Sequence, residues 1–503
     1  MARADGSSRF ASGHRWGFFP SGSVAWRVSD EDFLKDSKWI SNLKLRLSFG
    51  TAGNNRIPSG LNIAYFSPAG LGSDAPGHIG STGVRPDMLQ RNSTVPNSSL
   101  KWETTITRNF GIDYGFWKGR INGSIEFYWN TTKDLLMQVK IPSIAGYGYN
   151  SYQYQNFGKT SNKGVEMSMN VIAIDTKKFN LKFNANIAYN KNKIEELNAF
   201  AGGWQSSSFN NVAYEEFKIE EGGALGEIWG YQSDGMYLPG QDITLDNSGN
   251  WNLVDAANGN KTYMLLGGTL YPGMMKVKDQ NGDGVIDERD KVRLGNTVPK
   301  WTGGFGLDFT WKNKWGNIDA TVFCNFSLGN EILNGTALAN SYNNSSNLKY
   351  NVLDAFADCY RYIDNQGNNI GKPGTNMCST YTYNGLTGTD AIMAALNDVN
   401  AHASTYNPIG MTSMIVTDRF VEKASFLRLQ NVTVGYTFPK KLVKKLYLTN
   451  LRVYFTGYNL ACITNYSGAD PEVSTSKNLM CPGVDYSAYP KSRSYVAGIN
   501  VSL

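Results

Sequence analysis

The stretch Lys491–Leu503, K-S-R-S-Y-V-A-G-I-N-V-S-L, carries its large apolar residues two apart. Tyr495, Ala497, Ile499, Val501 and Leu503 fall on one face, and Val496, Gly498, Asn500 and Ser502 on the other. A period of two is that of a β-strand, in which neighbouring side chains point to opposite faces. The stretch stops on its apolar face with no polar tail. A soluble sheet usually covers or blunts such a strand, because its unpaired backbone edge invites association. A strand that closes a membrane barrel has no such need.

The same period recurs along the chain. Trp16, Phe18, Val24, Trp26 and Val28 share a face, and Leu43, Leu45, Leu47 and Phe49 alternate with Lys44, Arg46 and Ser48. Further sets are Ile106 to Phe116, Ile121 to Trp129, Val165 to Val171, Leu181 to Tyr189, Phe305 to Trp311, Ile318 to Phe326, Val432 to Phe438 and Leu451 to Phe455. With 491–503 this predicts about eleven strands. Their connections alternate in length. W-K-G-R after Phe116, D-T-K-K-F-N after residue 174 and K-N-K-W-G-N after Trp311 are short, and 29–42 and 439–450 are moderate. Stretches 53–100, 139–160, 194–298, 332–420 and 464–490 are long. Short turns on one side and long loops on the other predict an outer-membrane barrel. If the short turns are periplasmic, counting strands in order puts the C-terminus in the periplasm. Tryptophans at strand ends and turns (Trp16, Trp39, Trp102, Trp117, Trp129, Trp301, Trp311 and Trp315) suit the membrane interface.

Composition is compatible with this class. Charged residues are 18% of the 503, below the usual quarter, and no run approaches the ~18 apolar residues of a membrane helix. The net charge of +6 is spread out, which argues against nucleic acid as a partner. The N-terminus, M-A-R-A-D-G-S-S-R-F, lacks the apolar core of a signal peptide. Cys359 and Cys378 are 19 positions apart in a polar stretch, as are Cys462 and Cys481, while Cys324 lies in a strand pattern. Two loop disulfides and one buried thiol fit this spacing, and so do five unpaired thiols.

One stretch carries coordination chemistry. Residues 279–290, D-Q-N-G-D-G-V-I-D-E-R-D, place Asp279, Asn281, Asp283, the Val285 carbonyl, Asp287 and Asp290 at positions 1, 3, 5, 7, 9 and 12 of a calcium loop. Gly284 falls where the loop must turn sharply, and Ile286 is apolar as expected. Asp290 stands where a bidentate Glu is usual, and the flanks do not read as helices. These features predict a single structural Ca2+ rather than a switch. No enzyme is predicted. His14, His78 and His402 are far apart, and Glu195–Glu196, Glu215–Glu216 and Glu220–Glu221 read as solvated faces.

Several stretches resemble the SusC/RagA type of TonB-dependent outer-membrane transporter. They are R-A-D-G-S-S-R-F (3–10), R-W-G-F-F-P-S-G-S-V-A-W-R-V-S-D-E-D-F (15–33), L-K-L-R-L-S-F-G-T-A-G-N (43–54), N-K-G-V-E (162–166), D-Q-N-G-D-G-V-I-D (279–287), F-L-R-L-Q-N-V-T-V-G-Y-T-F-P (426–439) and L-R-V-Y-F-T-G-Y-N-L (451–460). The resemblance implies an all-β transmembrane antiparallel barrel of about twenty-two strands around a plug. This chain would supply its C-terminal half: residues 1–12 as the end of a preceding strand, 194–298 and 332–420 as long extracellular loops, and 491–503 as the closing strand. Plug and signal peptide would be absent, so the chain reads as a truncated product, not functional alone. The implied partners are a SusD-like surface lipoprotein, the TonB complex through an N-terminal part, outer-membrane lipid, and an oligosaccharide or peptide substrate. Trp204, Trp229, Tyr231 and Tyr237 could stack on sugar rings, or pack within their loops. The alternatives are a secreted or surface β-rich glycan-binding module with a structural calcium loop, and a passive porin-like barrel.

Overall fold

The computed structural model describes residues 1–68, 89–91, 94–141, 151–197, 204–206, 216–254, 270–342, 353–371, 379–408, 414–476 and 481–503. Twelve strands form one sheet: β1 (Ala2–Gly6), β2 (Trp16–Arg27), β3 (Ile40–Asn54), β4 (Glu103–Phe116), β5 (Ile121–Lys133), β6 (Lys159–Asp175), β7 (Phe179–Glu196), β8 (Trp301–Asn313), β9 (Gly316–Leu328), β10 (Phe426–Thr437), β11 (Asn450–Thr464) and β12 (Ser494–Ser502). Each pairs antiparallel with its neighbours in chain order. The eleven expected strands are therefore present, with β1 as a twelfth. Within this sheet, β1 pairs only with β2 and β12 only with β11 among the described residues.

Register turns the alternation of single strands into continuous rows. Val24, Leu47, Phe110, Phe127, Val165, Tyr189 and Trp301 are successive cross-strand partners from β2 to β8. One step along, Arg46, Gly111, Glu126 and Glu166 form a polar row on the opposite face. The apolar row is not covered by the chain: Val24, Leu47, Phe110, Phe127 and Trp301 are exposed, as are Phe305, Leu307, Val434, Phe455, Ile499 and Val501. An apolar face of this extent is far beyond the scattered exposure of soluble proteins and suits lipid.

Aromatic residues mark both ends of the band. Near the short turns, Trp39 stacks on Phe116 at 5.9 Å and Trp311 on Phe179 at 6.1 Å. Near the long loops, Tyr189 meets Trp301 at 4.8 Å. Trp102 departs from the expected girdle. It packs against Phe10 and Phe19 at 5.5 Å and donates its indole N–H to the Arg15 carbonyl, so it belongs to a small loop core. Val28 also leaves the exposed face, buried in a 3-10 turn after β2.

Several strands run past the apolar alternation. β6 begins at Lys159 and β7 ends at Glu196, where both faces carry polar residues. Backbone pairing continues there because it does not depend on lipid. Beyond the long-loop ends, residues from 217–286 and 333–420 share one hydrophobic core, joined by Cys481 and Val484. The long loops thus build one folded cap rather than separate excursions.

A third loop is pinned beneath the cap. Arg428 on β10 is 2% exposed and donates to Asp470, 4% exposed, at 2.7 Å. Asp470 also accepts from the Lys491 backbone N–H at 3.3 Å, and Lys491 pairs with Glu472 at 2.5 Å. Cys462, an exposed thiol on β11, forms no disulfide, so of the two readings the spacing left open, the one without a Cys462–Cys481 bridge holds. Cys481 is instead buried in the cap core. Cys378 lies outside the described residues, and its expected pairing with Cys359 with it.

Two outcomes follow. Asp470→Ala leaves the buried guanidinium with only the longer contact to Glu472 at 3.4 Å and the Asn459 amide among the described residues, and should destabilise the protein by about 3 kcal/mol, whereas Arg428→Met with Asp470→Asn should recover most of the loss. Urea midpoints in detergent would measure both. Cys462 should react with a water-soluble maleimide without prior reduction, which mass spectrometry of its peptide would detect.

Candidate functional site

The polar face of the sheet carries a repeated ionic device. Arg46 on β3 lies across β4 to reach β5. Its Nη2 donates to Asp113 and to Glu126, both at 2.7 Å, and its Nε donates to Asp113 at 2.9 Å. The residue crossed is Gly111, where an added Cβ would stand 2.9 Å from the guanidinium carbon. Asn109 donates to the other oxygen of Glu126 at 3.0 Å. Glu166 is the cross-strand partner of Glu126, so Arg46 also offsets a like-charge pair.

The same arrangement recurs on the far side of the sheet. Arg452 on β11 lies over Gly435 on β10, the cross-strand partner of Asp319 on β9, and donates Nε to Asp319 at 3.0 Å. Asp308 nearby accepts from Thr321 at 2.9 Å and from Asn184 at 3.2 Å. These side chains are about a quarter to a third exposed, which places them against water-filled space rather than inside a dry core. The result is a hydrated wall of fixed donors and acceptors whose charges are already paired. Such a wall hydrogen-bonds a passing polar solute without trapping it.

At the foot of the cap, a cleft of about 390 Å³ is lined by Asn325, Asn330, Glu331 and Glu472 together with Phe326 and Phe426. Asn325 Oδ1 is buried there and accepts no hydrogen bond from the described residues. The combination of ring faces, carboxylates and an unfilled acceptor suits a ligand rich in hydroxyl groups. The cap aromatics are a poorer fit to that role. Tyr231 and Tyr237 are buried in the cap core, and Trp229 is half-buried with Lys218 Nζ 4.4 Å from its ring centre. The Trp204 side chain lies outside the described residues.

The Asp279–Asp290 loop has the scaffold of its sequence pattern. Gly284 takes φ of +78°, and Ile286 is buried in the cap core. Asp279 accepts from the Gly282 and Gly284 N–H groups at 2.7 and 2.8 Å, Asn281 from Asp283, and Asp283 from Val285. These bonds hold Asp279 below the usual carboxylate range despite a counteracting desolvation. Arg289 sits against Asp283 at 2.8 Å and Asp287 at 2.6 Å. Asp290 turns inward, fully buried, and accepts from Gln280 and Asp287 N–H groups. The loop therefore has the backbone turn of its sequence pattern, while Arg289 engages two of its carboxylates and backbone N–H groups occupy Asp290. Among the described residues no three His, Cys, Asp or Glu groups converge as a metal cluster.

Of the other carboxylate pairs, Glu216 corrects the expectation of a solvated face: it is fully buried, because the strand Phe217–Ile219 beside it enters the loop cores, while Glu215 lies outside the described residues. The remaining pairs are surface ion pairs. Glu195 meets Lys193 at 3.2 Å, Glu196 meets Lys159 at 3.0 Å, and Glu220 meets Lys218 at 2.7 Å. The Arg46 and Arg452 devices were not singled out from sequence. An arginine, a glycine and an acid align only once three strands are in register, although each sits on a polar face that alternation identifies.

Comparison with known proteins agrees with this architecture. A family model described as TonB dependent receptor-like, beta-barrel matches residues 2–460. TonB-dependent receptor P3 of Formosa agariphila is 30% identical over 508 residues, covering all of this chain and 43% of that protein. TonB-dependent receptor SusC of Bacteroides thetaiotaomicron is 30% identical over 513 residues, covering all of this chain and 41% of SusC. The RagAB peptide importer in its closed-closed state superposes with a TM-score of 0.67 at 24% identity, over all of this chain and 45% of that one. The chain thus spans under half the length of the relatives it matches. It belongs to the TonB-dependent receptor β-barrel family.

Proposed function

We propose that this chain forms wall, mouth and outer cap of a TonB-dependent importer in the outer membrane. The observation that carries the reading is the division of the sheet into an uncovered apolar face and an ion-paired polar face, under one folded cap. A secreted binding module would bury the apolar face. In this reading the short turns and the C-terminus are periplasmic and the cap is extracellular. Transport is energised through the TonB complex, and a SusD-like lipoprotein covers the mouth. The substrate class is oligosaccharide, supported by the hydroxyl-compatible cleft around Asn325. Peptide is the other class named by the family resemblance.

We further propose that the 279–290 loop binds a structural Ca2+, with Asp279, Asn281, Asp283, the Val285 carbonyl, Asp287 and Asp290 as its ligand set. Binding requires Arg289 to leave Asp283 and Asp287, so the guanidinium competes with the ion. A rigid loop would stiffen the cap through Ile286.

Uptake of labelled oligosaccharides by cells producing the full-length protein should be abolished by a protonophore, whereas a passive pore would be indifferent. Asn325→Ala should lower the rate roughly fivefold, the equivalent of about 1 kcal/mol for one lost hydrogen bond. Faster uptake of peptides than of oligosaccharides would overturn the substrate class. In calorimetric titration with Ca2+, Arg289→Ala should bind more tightly than the parent and Asp283→Asn more weakly. Absence of heat in all three proteins would remove the ion from the account.

A further inference from the structure

The connection between β10 and β11 differs from the other short turns. It reads F-P-K-K-L-V-K-K-L-Y-L-T-N over 438–450 and contains no acidic residue. A helical turn over Lys440–Val443 continues as a 3-10 turn over Lys444–Leu446 and stops at Tyr447, whose φ is +59°. Val443 is buried and anchors the turn, while Lys440, Lys441, Lys444 and Lys445 are exposed. None of these four lysines pairs with a carboxylate among the described residues, and neither does Lys314. By contrast, the β2–β3 connection neutralises itself, with Arg27 on Asp30 at 3.4 Å and Trp26 donating to Glu31 at 2.8 Å.

β9 pairs with β10, so the turn between β8 and β9 lies beside this basic segment. Together they enclose an open groove of about 810 Å³, lined by Lys314, Lys440, Lys441 and Lys445 with Trp315 and Leu442. Trp315 is 70% exposed and Tyr447 92% exposed. Lys314 Nζ stands 5.1 Å over the Trp315 ring, and Tyr436 donates its hydroxyl proton to the Trp315 carbonyl. Phe438, on the apolar face of β10, packs edge-on to Tyr436 at 4.9 Å and also lines the groove. The groove thus opens where the lipid-facing band ends. Its lining offers ammonium groups without carboxylate partners among the described residues, the amphipathic ring of Trp315, and apolar contacts from Leu442 and Phe438, with Tyr447 exposed on the same turn. These are the parts of a phospholipid in order: phosphate, interface and acyl chain.

We propose that this groove binds the headgroup of an anionic phospholipid of the periplasmic leaflet. Lys440, Lys441, Lys445 and Lys314 receive the phosphate, Trp315 and Tyr447 lie at headgroup depth, and Leu442 and Phe438 meet the acyl chains. The proposal rests on the periplasmic placement of the short turns. A lipid held there ties β8–β9 to β10–β11 at the end of the sheet opposite the cap.

The test is native mass spectrometry of the full-length protein, delipidated in detergent and offered phosphatidylglycerol, phosphatidylethanolamine or phosphatidylcholine. Phosphatidylglycerol should be retained preferentially. The variant K440Q/K441Q/K444Q/K445Q should lose about tenfold or more of that retention. A control, K177Q/K178Q on the β6–β7 turn, should keep it. Equal retention of the three lipids, or equal retention by parent and quadruple variant, overturns the proposal. Displacement of the lipid by inorganic phosphate alone would mark a free-anion site and overturn it too. Orientation is read separately from Lys444→Cys in a Cys462→Ser background. Labelling of that thiol by an impermeant maleimide in intact cells overturns the periplasmic placement, whatever the lipid result. Labelling only after the outer membrane is opened leaves the lipid arms to decide.

Discussion

In hydrocarbon no water is available to a backbone amide, so every N–H and C=O that crosses must be paired by the protein itself. Between its two edges, the ladder from β3 to β11 meets this requirement strand by strand, and the rest of the molecule depends on it. Pairing fixes register, and register fixes which side chain meets lipid. A slip of one residue would send Arg46, Asp113, Glu126, Asp319 and Arg452 outward and the tryptophans inward. For a single arginine at mid-membrane that exchange costs about 2–4 kcal/mol. The paired charges of the inner face therefore act as register locks as well as a lining. Glycines 111 and 435 are part of the lock, since an arginine reaches the second strand over only where the first has no side chain in its path.

Most of the sheet was legible before its structure, because lipid on one side and water on the other impose a period of two that survives in a single sequence. The legibility ended where that contrast ends. Strands β6 and β7 continue past the apolar band at Lys159 and Glu196, where lipid gives way to loops: Ile194 packs with Val139, Phe157, Leu197 and Ile219, and the residues around it are mostly polar, so alternation carries no signal. Trp102 shows the same limit from another side. Its position beside a strand resembled a girdle residue, yet Phe10 and Phe19, far away in sequence, hold it in a loop core. The calcium-type loop was legible as a pattern of oxygen spacings, but the competition from Arg289 was not. Spacing lists what the ligands are and omits what else could reach them.

The cap was the least legible part for a physical reason. Long Gly- and Asn-rich loops look unstructured when read one at a time, since neither 194–298 nor 332–420 has an apolar stripe long enough for its own core. Their core exists only jointly. The helix Gly388–Val399 offers Ala391, Ile392, Ala395 and Leu396 on one face, and the strand Ile243–Leu245 of the other loop packs beside it in the same core. Tyrosines that could have faced a sugar are consumed by this packing. Burial pushes the Tyr237 and Tyr406 hydroxyls up to about 12, as expected of phenols serving as core. In the proposed reading, recognition falls to the seam where cap meets wall, around Asn325 and Glu331, and to surfaces that other parts of the assembly would contribute.

The terminal strand gains a second determinant from this arrangement. Its alternation suits it to a membrane edge, but alternation does not say where along β11 it must begin pairing. Asp470 and Asn459 do: both bind the backbone at Lys491, Asn459 donating to its carbonyl at 2.8 Å, and Arg428 holds Asp470 from β10. The buried ion pair thus sits at the point where the loop over 465–493 hands the chain back to the sheet. An ion pair buried to this degree contributes little net stability compared with apolar packing, and is better understood as a device of specificity. Here the specificity is positional. It allows Ser494 to meet Tyr458 and every later residue to follow in register, so that Tyr495, Ile499 and Val501 face lipid and Gly498 receives the ring of Tyr454.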